Sequence, residues 1–187
     1  MRYRRDDVVA CALRVLDDHG LADLTMRRLA QELGVQPSAL YHHFRDKQTL
    51  LAAVADEILV RGARPLPDGP WEERVRSACH SLRDACLAWT DGAEVVATAR
   101  AFRLGAAAPY DELTGVMTHG GVEPRLAGTA ARTLLHFVLG HVLEEQTHRQ
   151  AGSAGAIAGD PTAVDHTADF DSGLAMILAG VGVRTAH

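Results

Sequence analysis

"LTMRRLAQELGVQPSALYHHFRDK", residues 24–47, decides the fold. Thr25 is a good N-cap, because its hydroxyl can accept a bond from a free backbone N–H one turn on. Leu29, Ala30 and Leu33 then recur at helical spacing and predict a helix from Met26 to about Leu33. Gly34 follows, where a glycine takes positive φ without Cβ strain, and Val35 packs back on the last turn. Gln36 precedes a proline and is pushed to an extended conformation. Pro37 suits the first turn of the next helix, where its missing N–H costs nothing. That helix is short, about Pro37 to Phe44, and Asp46 can cap another from Lys47 to about Val60. Two helices separated by Leu33-Gly34-Val35 have the spacing of a helix-turn-helix, whose second helix lies in the DNA major groove.

The short helix has two kinds of residue. Leu40 and Phe44, four apart, point at a core. Ser38, Ala39, Tyr41, His42 and His43 are left to face outward. A Tyr and two His are poor choices for a merely solvated face. They suit phosphate oxygens and base edges, where a hydroxyl or ring N–H donates and the ring packs on sugar or a thymine methyl. Arg27, on the first turn of the preceding helix, suits bidentate contact with a guanine. Lys47 is the only lysine in the chain and sits where a phosphate would pass. The same geometry is also a common way to pack three helices without DNA, so the outward side chains carry the functional weight.

The remaining chain reads as helical almost throughout. Val8, Val9, Ala12, Leu13 and Leu16 make a first helix from about Asp6 to His19, ended by Gly20. "RGARPLPDGP", 61–70, holds three Pro and two Gly and is the clearest linker. A long helix is expected over Trp71–Trp89, broken by Asp91-Gly92, with further helices near 93–104, 109–119 and 124–149. The 124–149 segment is apolar on two faces: Leu126, Ala130, Leu134, Phe137 and His141 on one, Leu135, Leu139 and Val142 on another. A helix buried on two sides crosses a large core or meets a second subunit. Residues 151–161 read as a flexible loop. A last helix, 163–183, carries Gly173 and Gly180 on one side, where another helix can come close.

Bulk properties narrow the class. Hydrophobic content of 47% supports a real core. No apolar run reaches the ~18 residues of a membrane span, and MRYRRDDVVA lacks the apolar stretch of a secretory signal. A soluble cytoplasmic protein is expected, with no membrane partner. Residues 1–64 carry ten Lys/Arg against nine Asp/Glu, and residues 65–187 nine against fifteen. The acidic body argues against nonspecific nucleic-acid binding and leaves the N-terminal part for local contact. Cys79 and Cys86 are two helical turns apart, roughly 10 Å, beyond the ~7 Å reach of a disulfide. With Cys11 they read as buried thiols.

"LTMRRLAQELGVQPSALYHHFRDKQTLLAAVADEIL", 24–59, resembles the N-terminal domain of the TetR family of one-component transcriptional regulators. "WEERVRSACHSLRDACLAWTDGAEVVATAR", 71–100, and "LLHFVLGHVLEEQTH", 134–148, resemble the tetracycline-repressor subgroup. The resemblance implies an all-α protein: a three-helix DNA-binding domain, 1–47, and a larger ligand-binding and dimerisation core, 48–187, joined by the fourth helix. It implies a homodimer paired through helices 124–149 and 163–183, a palindromic operator and a small-molecule effector. It implies no catalytic residue and no enzyme activity. DNA contacts are expected from Thr25, Arg27, Arg28, Gln36, Ser38, Ala39, Tyr41, His42, His43 and Lys47.

The core departs from that subgroup. There a His after the Asp-Gly-Ala break ligates the drug's magnesium; here the position is Val96, and the supporting Thr is Ala99. The His and Asn that hold the drug's polar edge become Ala63 and Ala78, and a neighbouring aromatic becomes Leu82. Only Glu144 is retained. A ligand other than magnesium-chelated tetracycline is therefore expected, with neither metal nor cofactor. The pocket is expected from Leu82, Cys86, Trp89, Val96, Ala99, Arg100, Phe102, Leu113, Met117, His136, Phe137 and Glu144, with Arg100, His136, Glu144 and Trp89 as its few polar fixtures. Two alternatives stand beside this reading. One is a regulator that needs no ligand. The other is an all-helical metal-binding protein or enzyme using His141, Glu144 and His148, which with Glu145 share a helix face; that face lacks the His-Glu-x-x-His order of helical zinc hydrolases.

Overall fold

A computed structural model describes residues 3–153 and 166–185. Among them are nine helices and no strand. The all-α expectation is met. Residues 154–161 of the expected loop, and the expected start of the last helix at 163–165, lie outside the described residues. The chain divides into two compact units, residues 1–62 with 85–106, and residues 63–84 with 107–187.

The first unit is built on α1 (Arg5–Asp23), α2 (Met26–Leu33), α3 (Pro37–Tyr41), α4 (Lys47–Gly62) and α6 (Gly92–Ala101). Val8, Ala12, Leu13 and Leu16 of α1 are buried with Leu29 of α2, Leu40 of α3, Phe44, and Leu50, Val54 and Ile58 of α4. Gly20 has φ 77° and breaks α1 where the sequence places a left-handed residue. Its backbone is crowded too: a Cβ there would stand 2.9 Å from Asp91 Oδ2. That carboxylate accepts from Leu21 N at 2.8 Å. Thr90 Oγ1 donates to the Asp17 carbonyl at 3.0 Å. The turn before α6 is thus bolted to the end of α1. The turn after α6 is fixed likewise, since Ala106 N donates to Asp56 Oδ1 of α4 at 2.7 Å.

α5 (Trp71–Leu87) and α6 end earlier than expected. α5 stops at Leu87, not Trp89, because the chain turns there: Trp89 N bonds the Cys86 carbonyl and Gly92 N the Trp89 carbonyl. α6 stops at Ala101, not 104. Arg103 takes φ 55°, and Leu104 N folds back to the Ala99 carbonyl at 3.1 Å, so a non-glycine residue performs a glycine's capping job.

The second unit holds the first part of α5, α7 (Ala108–His119), α8 (Pro124–Ser153) and α9 (His166–Thr185). α8 is 30 residues long. By length and composition its stretch Pro124–Ala151 could cross a membrane, but half of its most apolar window is buried inside the fold, as in a core helix. Of the two apolar faces expected, Ala130, Leu134, Leu135, Leu139 and Val142 are buried, while Leu126, Phe137 and His141 are partly exposed. A Cβ on Gly173 would meet the Phe137 ring at 2.6 Å, so this glycine lets α9 approach α8 of its own chain. Gly180 has nothing within 4 Å of such a Cβ among the described residues.

A charged cluster ties α5, α8 and α9 together. Arg83 and Glu145 are buried, and Arg83 Nη2 donates to Glu145 Oε2 at 2.8 Å. Arg149 holds the other Glu145 oxygen. Arg83 also reaches Thr167 Oγ1 at 3.4 Å and lies over the Phe170 ring. Glu145 is thereby paired on both oxygens, which offsets part of the cost of burying the group. The three cysteines are buried and free. Burial pushes the Cys79 and Cys86 thiols up to about 12, so they stay protonated and unreactive at neutral pH.

Gly20→Ala should destabilise the protein by roughly 1–3 kcal/mol, through positive φ and the clash with Asp91. The check is urea denaturation followed by circular dichroism; a shift near zero would show that Asp91 moves aside freely.

Candidate nucleic-acid interface

The interface is positioned by three local devices. Thr25 Oγ1 accepts from Arg28 N at 3.1 Å and starts α2. Gly34 has φ 64°, and the turn closes with Gly34 N on the Gln31 carbonyl and Val35 N on the Ala30 carbonyl, 3.1 and 2.9 Å. Among the described residues nothing lies within 4 Å of a Cβ at Gly34, so backbone conformation and not space calls for glycine there. Asp46 Oδ1 accepts from Thr49 N at 2.8 Å and opens α4. Thr49 Oγ1 also donates to Asp46 Oδ1, at 2.6 Å, and this side-chain bond, with the backbone bond from Thr49 N, holds the Asp46 carboxyl below the usual carboxylate range.

α3 is a single turn, Pro37–Tyr41, shorter than the expected reach to Phe44. Its winding continues for one more set of bonds, because His43 N and Phe44 N both donate to the Leu40 carbonyl, at 2.9 and 3.0 Å. Leu40 and Phe44 have 2% and 0% exposure, as their spacing predicts. Phe44 is capped from outside by the Arg5 guanidinium, 4.8 Å from its ring centroid.

Within this unit none of the ten expected contact residues is buried. Thr25, Arg27, Gln36, Ser38, Tyr41 and His42 are exposed; Arg28, Ala39, His43 and Lys47 are half-buried. Tyr41, at 53%, is the large apolar side chain that α3 leaves in the open. Arg28 is already engaged: Nε donates to Glu32 Oε1 at 2.9 Å and Nη2 meets His19 Nε2 at 2.7 Å. A phosphate there would compete with Glu32. Beside α3 a groove of about 580 Å³ is lined by Tyr3, Val8, Val35, Ala39, Leu40, His42 and His43. Tyr3 and Arg5 were not singled out from sequence, since nothing in their spacing tells that the start of α1 lies against α3 and Phe44.

The expected effector residues divide between the units. Cys86, Trp89, Val96, Ala99, Arg100 and Phe102 belong to the first; Leu82, Leu113, Met117, His136, Phe137 and Glu144 to the second. Leu82, Cys86, Val96, Ala99, Leu113 and Met117 are buried, and Trp89, Arg100 and Phe137 half-buried. Three depart from an interior lining: Phe102, His136 and Glu144 are exposed on their own units. Two polar fixtures have partners nearby. Arg100 Nη1 donates to the Ala106 carbonyl at 2.8 Å, and Trp89 lies under the Arg61 guanidinium.

The shared His141, Glu144, Glu145, His148 face is divided. Glu144 points to solvent while Glu145 is buried on Arg83. Among the described residues no three His, Cys, Asp or Glu side chains converge as a metal-binding group.

A helix-turn-helix head with an exposed recognition turn and an attached helical core defines a DNA-binding transcriptional regulator. Residues 8–54 match the family described as "Bacterial regulatory proteins, tetR family", and residues 64–161 match "Tetracyclin repressor-like, C-terminal domain". The chain belongs to the tetR family. It is 36% identical to the class D tetracycline repressor of Escherichia coli over 80% of this chain and 70% of that one. The crystal structure of Mycobacterium smegmatis BioQ is 41% identical and superposes with a TM-score of 0.89 over 97% of this chain and 98% of that chain. A structure of BioQ with its double-stranded DNA operator is 39% identical, with a TM-score of 0.83 over 99% of each chain.

Arg27→Ala should weaken binding to the operator by about 1–3 kcal/mol and relax specificity at one base pair. Fluorescence anisotropy on single-base operator variants reads both, and unchanged affinity would remove Arg27 from the groove. Lys47→Ala should weaken all sequences alike and reduce the slope of log affinity against log salt by about 1. An unaltered slope would take Lys47 off the phosphate backbone.

Proposed function

We propose that the protein is a homodimeric repressor that binds a palindromic operator and is released by a small molecule other than magnesium-chelated tetracycline. The observation that carries the DNA reading is the exposed set on α3 and its C-cap, Ser38, Tyr41 and His42, held outward by the burial of Leu40 and Phe44. The operator complex of BioQ supports it by similarity. A two-fold dimer would place its recognition helices about one DNA turn apart, ~34–36 Å, or a multiple of it. The dimer reading is supported by the apolar side chains left exposed on α8 and α9: Leu143, Met176 and Val183. Cytoplasmic residence follows from access to chromosomal DNA.

In this reading α6 is the moving part. Its two flanking turns are hydrogen-bonded to α1, through Asp91 and Leu21, and to α4, through Asp56 and Ala106. An effector that binds better when α6 is displaced would therefore bias the head, and operator affinity would fall by its differential affinity for the two states. The functional division at residue 47 belongs to the same reading, with α4 the connector. The buried effector candidates are Val96 and Ala99 in the first unit and Leu82, Leu113 and Met117 in the second, each taken on its own unit. Val96 and Ala99, where the tetracycline-binding subgroup has a metal ligand and its support, favour an apolar molecule. A second reading, a regulator that needs no effector, draws on the engagement of Arg100 and the exposure of His136 and Glu144, which leave few polar groups to fix a ligand.

Capture of sheared genomic DNA on the purified protein at near-physiological salt, followed by sequencing, tests the proposal. Enrichment of one or a few palindromes is the expected result. If none is enriched, even after unfolding and refolding free of small molecules, the operator reading fails. A gain on refolding would show a releasing ligand carried through purification.

A further inference from the structure

The sequence places His141 and His148 two turns apart on α8, and the fold supplies a third imidazole. His166, the first residue of α9, has its ring centroid 5.5 Å from that of His148 and 6.1 Å from that of His141. The three are not equivalent. His141 Nε2 stands 2.8 Å from the His166 carbonyl, and so is committed as a donor. The Nε2 atoms of His148 and His166 are both buried and have no hydrogen-bond partner. Two neighbouring buried imidazole nitrogens with nothing to bind are an unusual pair, since buried polar atoms are nearly always satisfied.

We propose that His148 and His166 form a binding site for a borderline transition-metal ion, Zn²⁺ foremost, which clips α9 to α8. The ring separation fits. With a metal–nitrogen bond of about 2.0–2.1 Å, each ring centroid stands roughly 3.2 Å from the ion. With both Nε2 atoms turned to a common ion, two rings 5.5 Å apart, their planes at 65°, would subtend an angle of about 120° at it, near the tetrahedral value. The surroundings select the kind of ion. Glu145, the nearest buried carboxylate on α8, is held on both oxygens by Arg83 and Arg149 and is not free to ligate. Asp171 stands 2.8 Å from His80. The donors of the site are imidazole nitrogens, which suit Zn²⁺, Ni²⁺ or Co²⁺ better than the oxygen-seeking Mg²⁺ or Ca²⁺. Two protein ligands leave the other positions to water or a small anion. This site differs from the His141, Glu144 and His148 set suggested by sequence: Glu144 is exposed, and the second ligand comes from another helix. It does not depend on the operator reading.

The test uses the full chain without an affinity tag, stripped with chelator and dialysed, and titrated with Zn²⁺ by calorimetry. One saturable equivalent per chain is expected. It should weaken at least ~10-fold in His148→Ala and in His166→Ala and be unchanged in Glu144→Gln. Zn²⁺ should raise the melting temperature of the unaltered protein and not that of the two histidine variants. If either alanine variant fails circular dichroism as a folded protein, His148→Gln and His166→Gln replace them. Absence of saturable binding would mean that a bridging water satisfies the two nitrogens, and the proposal fails. Binding that survives both histidine substitutions, or that is lost in Glu144→Gln, also overturns it.

Discussion

The burial of Phe44 and Leu40 is the constraint on which the rest depends. α3 is one turn long, far below the length at which a helix is stable alone. It exists because two side chains four residues apart are driven into the core made by α1, α2 and α4. Each buried group of that size contributes about 1.5–3 kcal/mol, enough to fix the rotation of a turn that has almost no helical stability of its own. Once that rotation is fixed, Ser38, Tyr41 and His42 have nowhere to go but outward. The chemistry of the interface is thus a consequence of apolar packing behind it.

The same economy appears where α6 meets the head. Asp91 accepts the Leu21 N–H exposed by the break at Gly20, and Asp56 accepts the Ala106 N–H beyond Arg103. Each carboxylate satisfies a backbone donor that no helical hydrogen bond pairs. These are short-range bonds between elements far apart in sequence. They make one compact unit of the helix-turn-helix, α6 and its turns. In the proposed repressor a displacement of α6 would strain both bonds and so act on α1 and α4 of the same unit.

In the second unit the ion cluster around Glu145 sets the docking of α9. A buried arginine and carboxylate cost more to desolvate than they return unless their geometry is satisfied. Here Arg83 also reaches Thr167 and Phe170, so the first turn of α9 is placed by polar contacts as well as by the apolar packing of Gly173 on Phe137. His166 arrives beside His148 for the same reason.

The sequence by itself determined the helices of the head, the left-handed Gly34, the caps at Thr25 and Asp46, and the inward pair Leu40 and Phe44. These are local: each depends on atoms within one or two turns, and residue type alone reports on them. It also separated the outward residues of α3 from the inward ones. Only the tertiary structure decided the rest. That Arg103, and not a glycine, ends α6 depends on the turn fixed to Asp56. Whether Glu144 or Glu145 is buried turns on 100° of helix rotation, and both could read as a polar rim until Arg83 was placed. His136 is one position from half-buried Phe137 and faces solvent. His166 is 18 residues from His148 along the chain, and no periodicity connects them. A side chain's partners across helices follow from how helices pack, which is set by the whole core and not by any one stretch of residues.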